Sequence, residues 1–232
     1  MRETLLKIWV AVTALLMALP VAMAAEPGAG EVNEVTTKGP WTYSPTDQTV
    51  SVTGGEITVA NLTTEQSTYH WAGIYGNVTG KLILGSGSDK MYEWTGKGVY
   101  VYLNKNSSVV WTSLTNATCS DVEGAYGFLT GASDDCAHTF KTTRNFNSHI
   151  ISLGSGNNNI LAALTYSAGG VTEWYTLALK DTSENDIVFA GEVVEDGTTY
   201  DGEEADYQVI VPENEESGST GTTDYYVWIE LY

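Results

Sequence analysis

The sequence predicts an all-β fold: an antiparallel β-sandwich, immunoglobulin-like or jelly-roll-like, of about ten strands with a disulfide-closed loop. Three observations carry that expectation. Short runs rich in Val, Ile, Tyr and Thr are separated by Gly, Asn, Asp and Ser turns along the chain. No segment after the N-terminal leader holds a helical period for four turns. Two cysteines, Cys119 and Cys136, form an even set in a chain that carries an export signal, which reads as a disulfide. His138 close after Cys136 raises a metal site as the rival, but two thiols and one imidazole leave a tetrahedral site incomplete.

The leader comes first. Arg2 and Lys7 precede the apolar run "IWVAVTALLMAL"; Pro20 breaks it, and Ala22-Met23-Ala24 supplies a small-x-small cleavage site. Residues 1–24 therefore read as a signal peptide, too short for a permanent span. The chain shows no lipoprotein cysteine after this run, no second apolar stretch of spanning length and no hydrophobic tail, so no transmembrane anchor is expected after cleavage and the mature protein belongs outside the cell. Residues 25–40, "AEPGAGEVNEVTTKGP", read as a flexible N-terminal arm, and residues 41–232 as one β-sandwich domain.

Two hairpins are expected early in that domain. In "QTVSVTGGEITVANLT", Val50 and Val52 alternate with Thr49, Ser51 and Thr53. Gly54-Gly55 makes a turn, and Ile57 and Val59 resume the period; this is the strongest hairpin signal in the sequence. In "STYHWAGIYGNVTGKLILGSGS", Gly76-Asn77 falls where a second hairpin turn belongs, with Leu82 and Leu84 on the return strand and Asn77 at an exposed tip. Further runs at 90–95, 99–104, 109–114, 160–166, 172–179, 187–194, 207–211 and 225–232 complete the strand set.

Two of these runs have an aliphatic side and an aromatic side. In "GVYVYLNK", Val99, Val101 and Leu103 oppose Tyr100 and Tyr102. In "YYVWIELY", Val227, Ile229 and Leu231 oppose Tyr226, Trp228 and Tyr232. The aliphatic side belongs in the core. The aromatic side has three readings: covered by a loop or by the insertion around the disulfide, a protein contact surface, or a platform that stacks on glycans, with Trp174 as a further candidate ring.

Charge excludes some functions. The chain holds 10 basic and 29 acidic residues; after cleavage, eight against 28 leave a net charge of −20. Nucleic-acid binding requires clustered Lys and Arg, and Arg144 is the sole arginine after Arg2. Anionic membrane surfaces are disfavoured for the same reason. Beyond Lys180 there is no basic residue, yet 15 carboxylates follow. The loop "VEDGTTYDGEEAD", through Asp196, Asp201, Glu203 and Asp206, would suit the oxygen-rich coordination of calcium; the alternative is a loop that faces solvent. The second acidic loop, "PENEESGSTGTTD", has no assigned ligand.

Four Asn-x-Ser/Thr triplets, at Asn61, Asn77, Asn106 and Asn116, are open to glycosylation in an exported chain and sit near expected strand ends or turns. The histidines are His70, His138 and His149; a hydrolase would need one of them beside a nucleophile and a carboxylate. No nucleophile elbow, zinc-protease, P-loop or dinucleotide motif occurs.

The segment "WAGIYGNVTG", followed by an aromatic strand, a two-cysteine loop and a late "YDGEEADYQVIVPE", resembles uncharacterised secreted or cell-surface β-rich proteins of archaea in motif and segment order over most of the mature length. The resemblance implies a cell-surface or extracellular-matrix setting and carries no catalytic residues. The functional expectation is a secreted, non-catalytic structural or adhesive protein, a subunit of a surface assembly or filament that associates with itself or with other surface proteins. The alternatives are a carbohydrate-binding module and a secreted hydrolase.

Overall fold

The computed structural model describes residues 26–40, 42, 49–127, 131–153, 158–170, 172–213 and 222–232. The expected signal peptide, Trp41 and most of the second acidic loop, Glu215 and Glu216 included, lie outside the described residues.

The fold is all-β and antiparallel. In chain order the strands are β1 (Gly28–Ala29), β2 (Trp71–Gly76), β3 (Gly80–Ser86), β4 (Asp89–Gly96), β5 (Gly98–Asn104), β6 (Leu114–Asn116), β7 (Thr142–Asn145), β8 (Asn159–Ala168), β9 (Thr172–Asp181), β10 (Asp186–Glu192), β11 (Gly197–Thr198), β12 (Glu204–Ala205), β13 (Tyr207–Pro212) and β14 (Tyr226–Leu231). Two helices, α1 (Cys119–Tyr126) and α2 (Cys136–Thr139), interrupt them. The main sheet runs β1-β14-β5-β10-β9-β8-β7, with β6 continuing the β8 edge of β9. Three two-stranded units accompany it: β13-β2, β3-β4 and β11-β12.

Period-two alternation sends the side chains of the central strands to opposite faces, and both faces are buried. On one, Tyr100, Tyr102, Leu177, Leu179, Val188 and Ala190 pack under Phe146, Ile151 and Leu153 from the β7–β8 connection. On the other, Val101, Leu103, Ala178, Ile187 and Phe189 meet Val209 and Val211 of the β13-β2 ribbon, with Val122, Tyr126 and Phe140 from the helical insertion. The ribbon is thus a narrow second layer. Gly191 lets it approach, since a Cβ there would sit 3.2 Å from the Val209 Cβ. The Ile210 amide donates to the buried Thr176 hydroxyl, tying ribbon to sheet.

The disulfide joins Cys119 to Cys136, the first residues of two helices: α1 fills the first half of the loop it closes, and α2 begins at its end. Local chemistry explains why. Thr118 and Asp121 form a reciprocal capping box that satisfies the first amides of α1, and Gly127 ends the helix at φ +70°.

Both early hairpins differ from expectation. Residues 49–63 form no strand and are exposed. Their turn exists, with the Glu56 amide donating to the Thr53 carbonyl at 3.1 Å, but only Gly55 has positive φ. That is the type II sense, whose twist splays the flanking arms, and a lone two-stranded hairpin is marginal in water. In the second case, β2 does not return on β3. Its partner is β13, in a register from Trp71↔Pro212 to Gly76↔Tyr207, because burying Val209 and Val211 rewards that distant pairing. β3 folds back on β4 instead, around Gly87 at φ +59°. The expected arm also makes contacts: Gly28 and Ala29 pair with Ile229 and Trp228, and Lys38 reaches the acidic loop.

Candidate functional site

The aromatic side of β5 and β14 is the first candidate. The register sets Trp228 beside Tyr102 and Tyr226 beside Asn104, so the rings do share one face. That face is largely covered. Tyr100 and Tyr102 are buried among Phe146 and Trp111, so of the three readings of this face cover by a loop holds for them, and they are not available as ligand or interface aromatics. The cover is the 146–153 segment, not the disulfide insertion. It is pinned by the Asn147 amide donating to the Tyr100 hydroxyl and the His149 amide donating to Glu230 at 2.6 Å. Burial pushes the Tyr100 phenol up to about 12. Trp228 is half-buried against Trp111; Tyr226 is exposed, and Tyr232 stacks on His149 at 4.2 Å. Trp174 is buried, its indole N–H donating to the Thr198 carbonyl, and so offers no ring to solvent.

The four acidic-loop residues divide between two tasks. Asp201 and Glu203 grip the Lys38 ammonium at 2.5 and 3.1 Å and accept the Tyr75 hydroxyl. The Lys38 contact, with the Thr199 hydroxyl, holds the Asp201 carboxyl well below its usual range. Asp206 instead accepts the Val78 and Asp196 amides and closes the turn. Asp196 itself sits at φ +52°. Among the described residues no three or more His, Cys, Asp or Glu side chains converge as a metal-holding group.

Adjacent aspartates each orient one histidine. Asp134 meets His70 Nδ1 at 2.8 Å, and Asp135 caps α2 through the His138 amide and meets its Nδ1 at 2.8 Å. The Thr68 hydroxyl donates to the other oxygen of Asp134. Burial pushes the Asp134 carboxyl up, but the Thr68 hydroxyl and His70 outweigh it and leave the group below its ordinary value.

The sequons are unequal. Asn61 and Asn77 are exposed. Asn106 is exposed, but its Nδ2 donates to the buried Asp186. Asn116 is half-buried in β6, Nδ2 donating to the Asn159 carbonyl and Oδ1 buried without a partner among the described residues. A glycan on either of the last two would attach at an Nδ2 that the fold already uses as a donor.

The surface that sequence reasoning passed over is the β3-β4 hairpin. Leu82 lies opposite Trp94 and Leu84 opposite Tyr92, so these four side chains share one face. Leu84 is 51 % exposed, Tyr92 57 % and Trp94 47 %, and the two rings lie 4.7 Å apart. The reverse face carries Lys81, Ile83 and Glu93, with Lys81 and Lys90 both paired to Glu93 at 2.8 and 2.9 Å. Ile83 on that face is 44 % exposed and Met91 82 %, so the hairpin holds apolar side chains in water beyond the face formed by Leu82, Leu84, Tyr92 and Trp94. Its root is fixed: Gly80 and Gly96 pair, and the Leu231 side chain seats against both, where a Cβ on Gly96 would lie 3.1 Å away. Lys97 and Tyr232 exchange two 3.0 Å backbone bonds beside it. The sequence does read Gly85–Ser88 as a hairpin turn between the 81–84 and 90–95 runs; what it did not show is that the face formed by Leu82, Leu84, Tyr92 and Trp94 stays in water.

A scan of protein-family models finds no match to this chain, and searches of curated proteins and of solved structures find none either.

Proposed function

We propose that the chain is a secreted, non-catalytic structural or adhesive subunit of a cell-surface assembly. The observation that carries this reading is the amount of strand-forming apolar surface that the single chain leaves in water. Residues 49–62 expose Val50, Val52, Ile57, Val59 and Leu62, and the β3-β4 hairpin exposes Leu82, Leu84, Tyr92 and Trp94. Contiguous apolar patches and unpaired strand edges mark sites of association in folded proteins. The leader at residues 1–24, the exposed sequons Asn61 and Asn77 and the disulfide suit an extracellular setting. The likeness in segment order to archaeal surface proteins points the same way. Sedimentation of the secreted chain over a concentration series tests the proposal: oligomers or polymers are expected, and a strict monomer at the highest concentration removes it.

A second reading has one specific observation in its favour. The Tyr92–Trp94 pair is an exposed aromatic platform of the kind that stacks on sugar rings, which makes carbohydrate binding the alternative role. Binding to a glycan array that disappears in Trp94→Ala supports it; an array with no binding for the unaltered protein removes it.

A further inference from the structure

We infer that the cleft between the root of the β3-β4 hairpin and the first acidic loop seats an N-linked glycan carried on Asn77. The inference needs the export that the leader implies and does not depend on assembly. The cleft holds about 520 Å³, inside the range of about 300–1,000 Å³ typical of small-ligand sites. One wall is the connection from β2 into β3, through Val78 and Thr79. The opposite wall is Glu195, Asp196 and Asp206. Val78 and Thr79 are also the second and third residues of the Asn77 sequon, so acceptor and wall are one continuous stretch of chain. Asn77 is exposed, and its Cα lies about 3.8 Å from that of Val78.

The chemistry of the walls selects the occupant. Three carboxylates repel phosphate and other anions. They are a poor set for a hard cation, because two of them are already engaged. Asp206 accepts the Val78 amide at 2.8 Å on one oxygen and the Asp196 amide at 3.1 Å on the other, and Glu195 faces the Lys97 ammonium at 3.4 Å. A neutral polyhydroxyl ring suits what remains. Its hydroxyls donate charge-assisted hydrogen bonds to the Asp196 carboxylate and accept from the Thr79 hydroxyl, while Val78 adds apolar surface. Covalent attachment makes up for the small number of contacts. A sugar on Asn77 meets the cleft as an intramolecular ligand, at an effective concentration of about millimolar for a short flexible link, so contacts too weak to hold a free sugar suffice. The seated glycan then braces the hairpin root against the acidic loop, beside the Asp206 amide that donates to the Gly76 carbonyl at 2.9 Å. Asn61 offers the contrast: it lies in residues 49–63, exposed and strand-free, so a glycan there has no such wall beside it.

The test uses the chain secreted by its producing cells. Mass spectrometry of its peptides should find a glycan on Asn77. Hydrogen exchange should then show the Val78, Asp196 and Gly197 amides slowed at least about threefold relative to Asn77→Gln, with no change at these amides in Asn61→Gln. Asp196→Ala closes a double-mutant cycle. Alanine at the positive φ of Asp196 is strained in both backgrounds, so that cost cancels, and the substitution should lower the melting temperature further in the glycosylated chain than in Asn77→Gln. An unmodified Asn77 overturns the inference. So does a glycan on Asn77 whose loss leaves the three amides unchanged, or an Asp196→Ala effect equal in the two backgrounds. None of these outcomes touches the assembly reading, which is decided by sedimentation.

Discussion

Glu230 is the residue on which the cover of the main sheet turns. It is a fully buried carboxyl on β14, and it accepts the Tyr102 hydroxyl at 2.5 Å and the His149 amide at 2.6 Å. Removing one donor leaves a buried acceptor short of a partner, which costs more than the net value of the bond. Tyr102→Phe should therefore destabilise the fold by about 1–3 kcal/mol, read as a lower urea midpoint, with the 146–153 segment exchanging its amides faster. A second residue-scale outcome concerns acid. The Lys180 ammonium, then the Thr118 hydroxyl, hold the Asp121 carboxyl down at about 2, below its unfolded value of about 3.9. A depressed carboxyl contributes stability that is complete above the unfolded pKa and is lost as pH falls through the folded one. The Asp121–Lys180 contribution should thus disappear between about pH 4 and pH 2. Asp121→Asn should flatten that limb of a stability–pH curve, modestly, since the pair is partly solvated and salt screens it.

At the scale of elements, the disulfide and the hairpin root make separate demands. Cys119 and Cys136 hold α1 and α2 against Phe189 and Val211, and the bond spans 17 residues of sequence. Replacing both cysteines by serine should cost about 3 kcal/mol by loop entropy and lower the melting temperature without loosening the far face. A valine at Gly80 collides with the Leu231 side chain and should turn the β3-β4 hairpin away from β14, seen as lost protection at Lys97 and Tyr232. These elements also show what the sequence made legible. Alternation in β5 and the β-prone apolar runs of β9 and β10 identified strands because propensity and burial agree there. The disulfide followed from the cysteine count and the expected export alone. Pairing partners were not legible for β2, because its match to β13 rests on distant contacts that local turn signals do not encode. Residues 49–62 show the same limit from the other side: their strand pattern is strong, but within one chain nothing among the described residues covers it. The fate of Tyr100 and Tyr102 depended on a 146–153 segment whose apolar residues have no period and so gave no cue.

Across the described residues the chain is strongly acidic, both faces of the central strands of its main sheet are buried, and further apolar side chains at 49–62 and on the β3-β4 hairpin stay in water. The chain's formal net charge of −19 opposes the approach of two copies over most of the surface. The Debye length shrinks from about 30 Å at 0.01 M salt to about 8 Å at 0.15 M. Self-association should therefore strengthen with added salt over that range, read as a rising weight-average mass in sedimentation equilibrium. Dissociation by salt would instead point to a junction built on ion pairs. The proposed role is that of a repeating structural unit outside the cell. Electron microscopy of native material taken from the surface of producing cells tests it most directly. Filaments or lattices whose repeat is one copy of the chain are expected. Dispersed single particles of one chain, in material that retains its native surface, would contradict it.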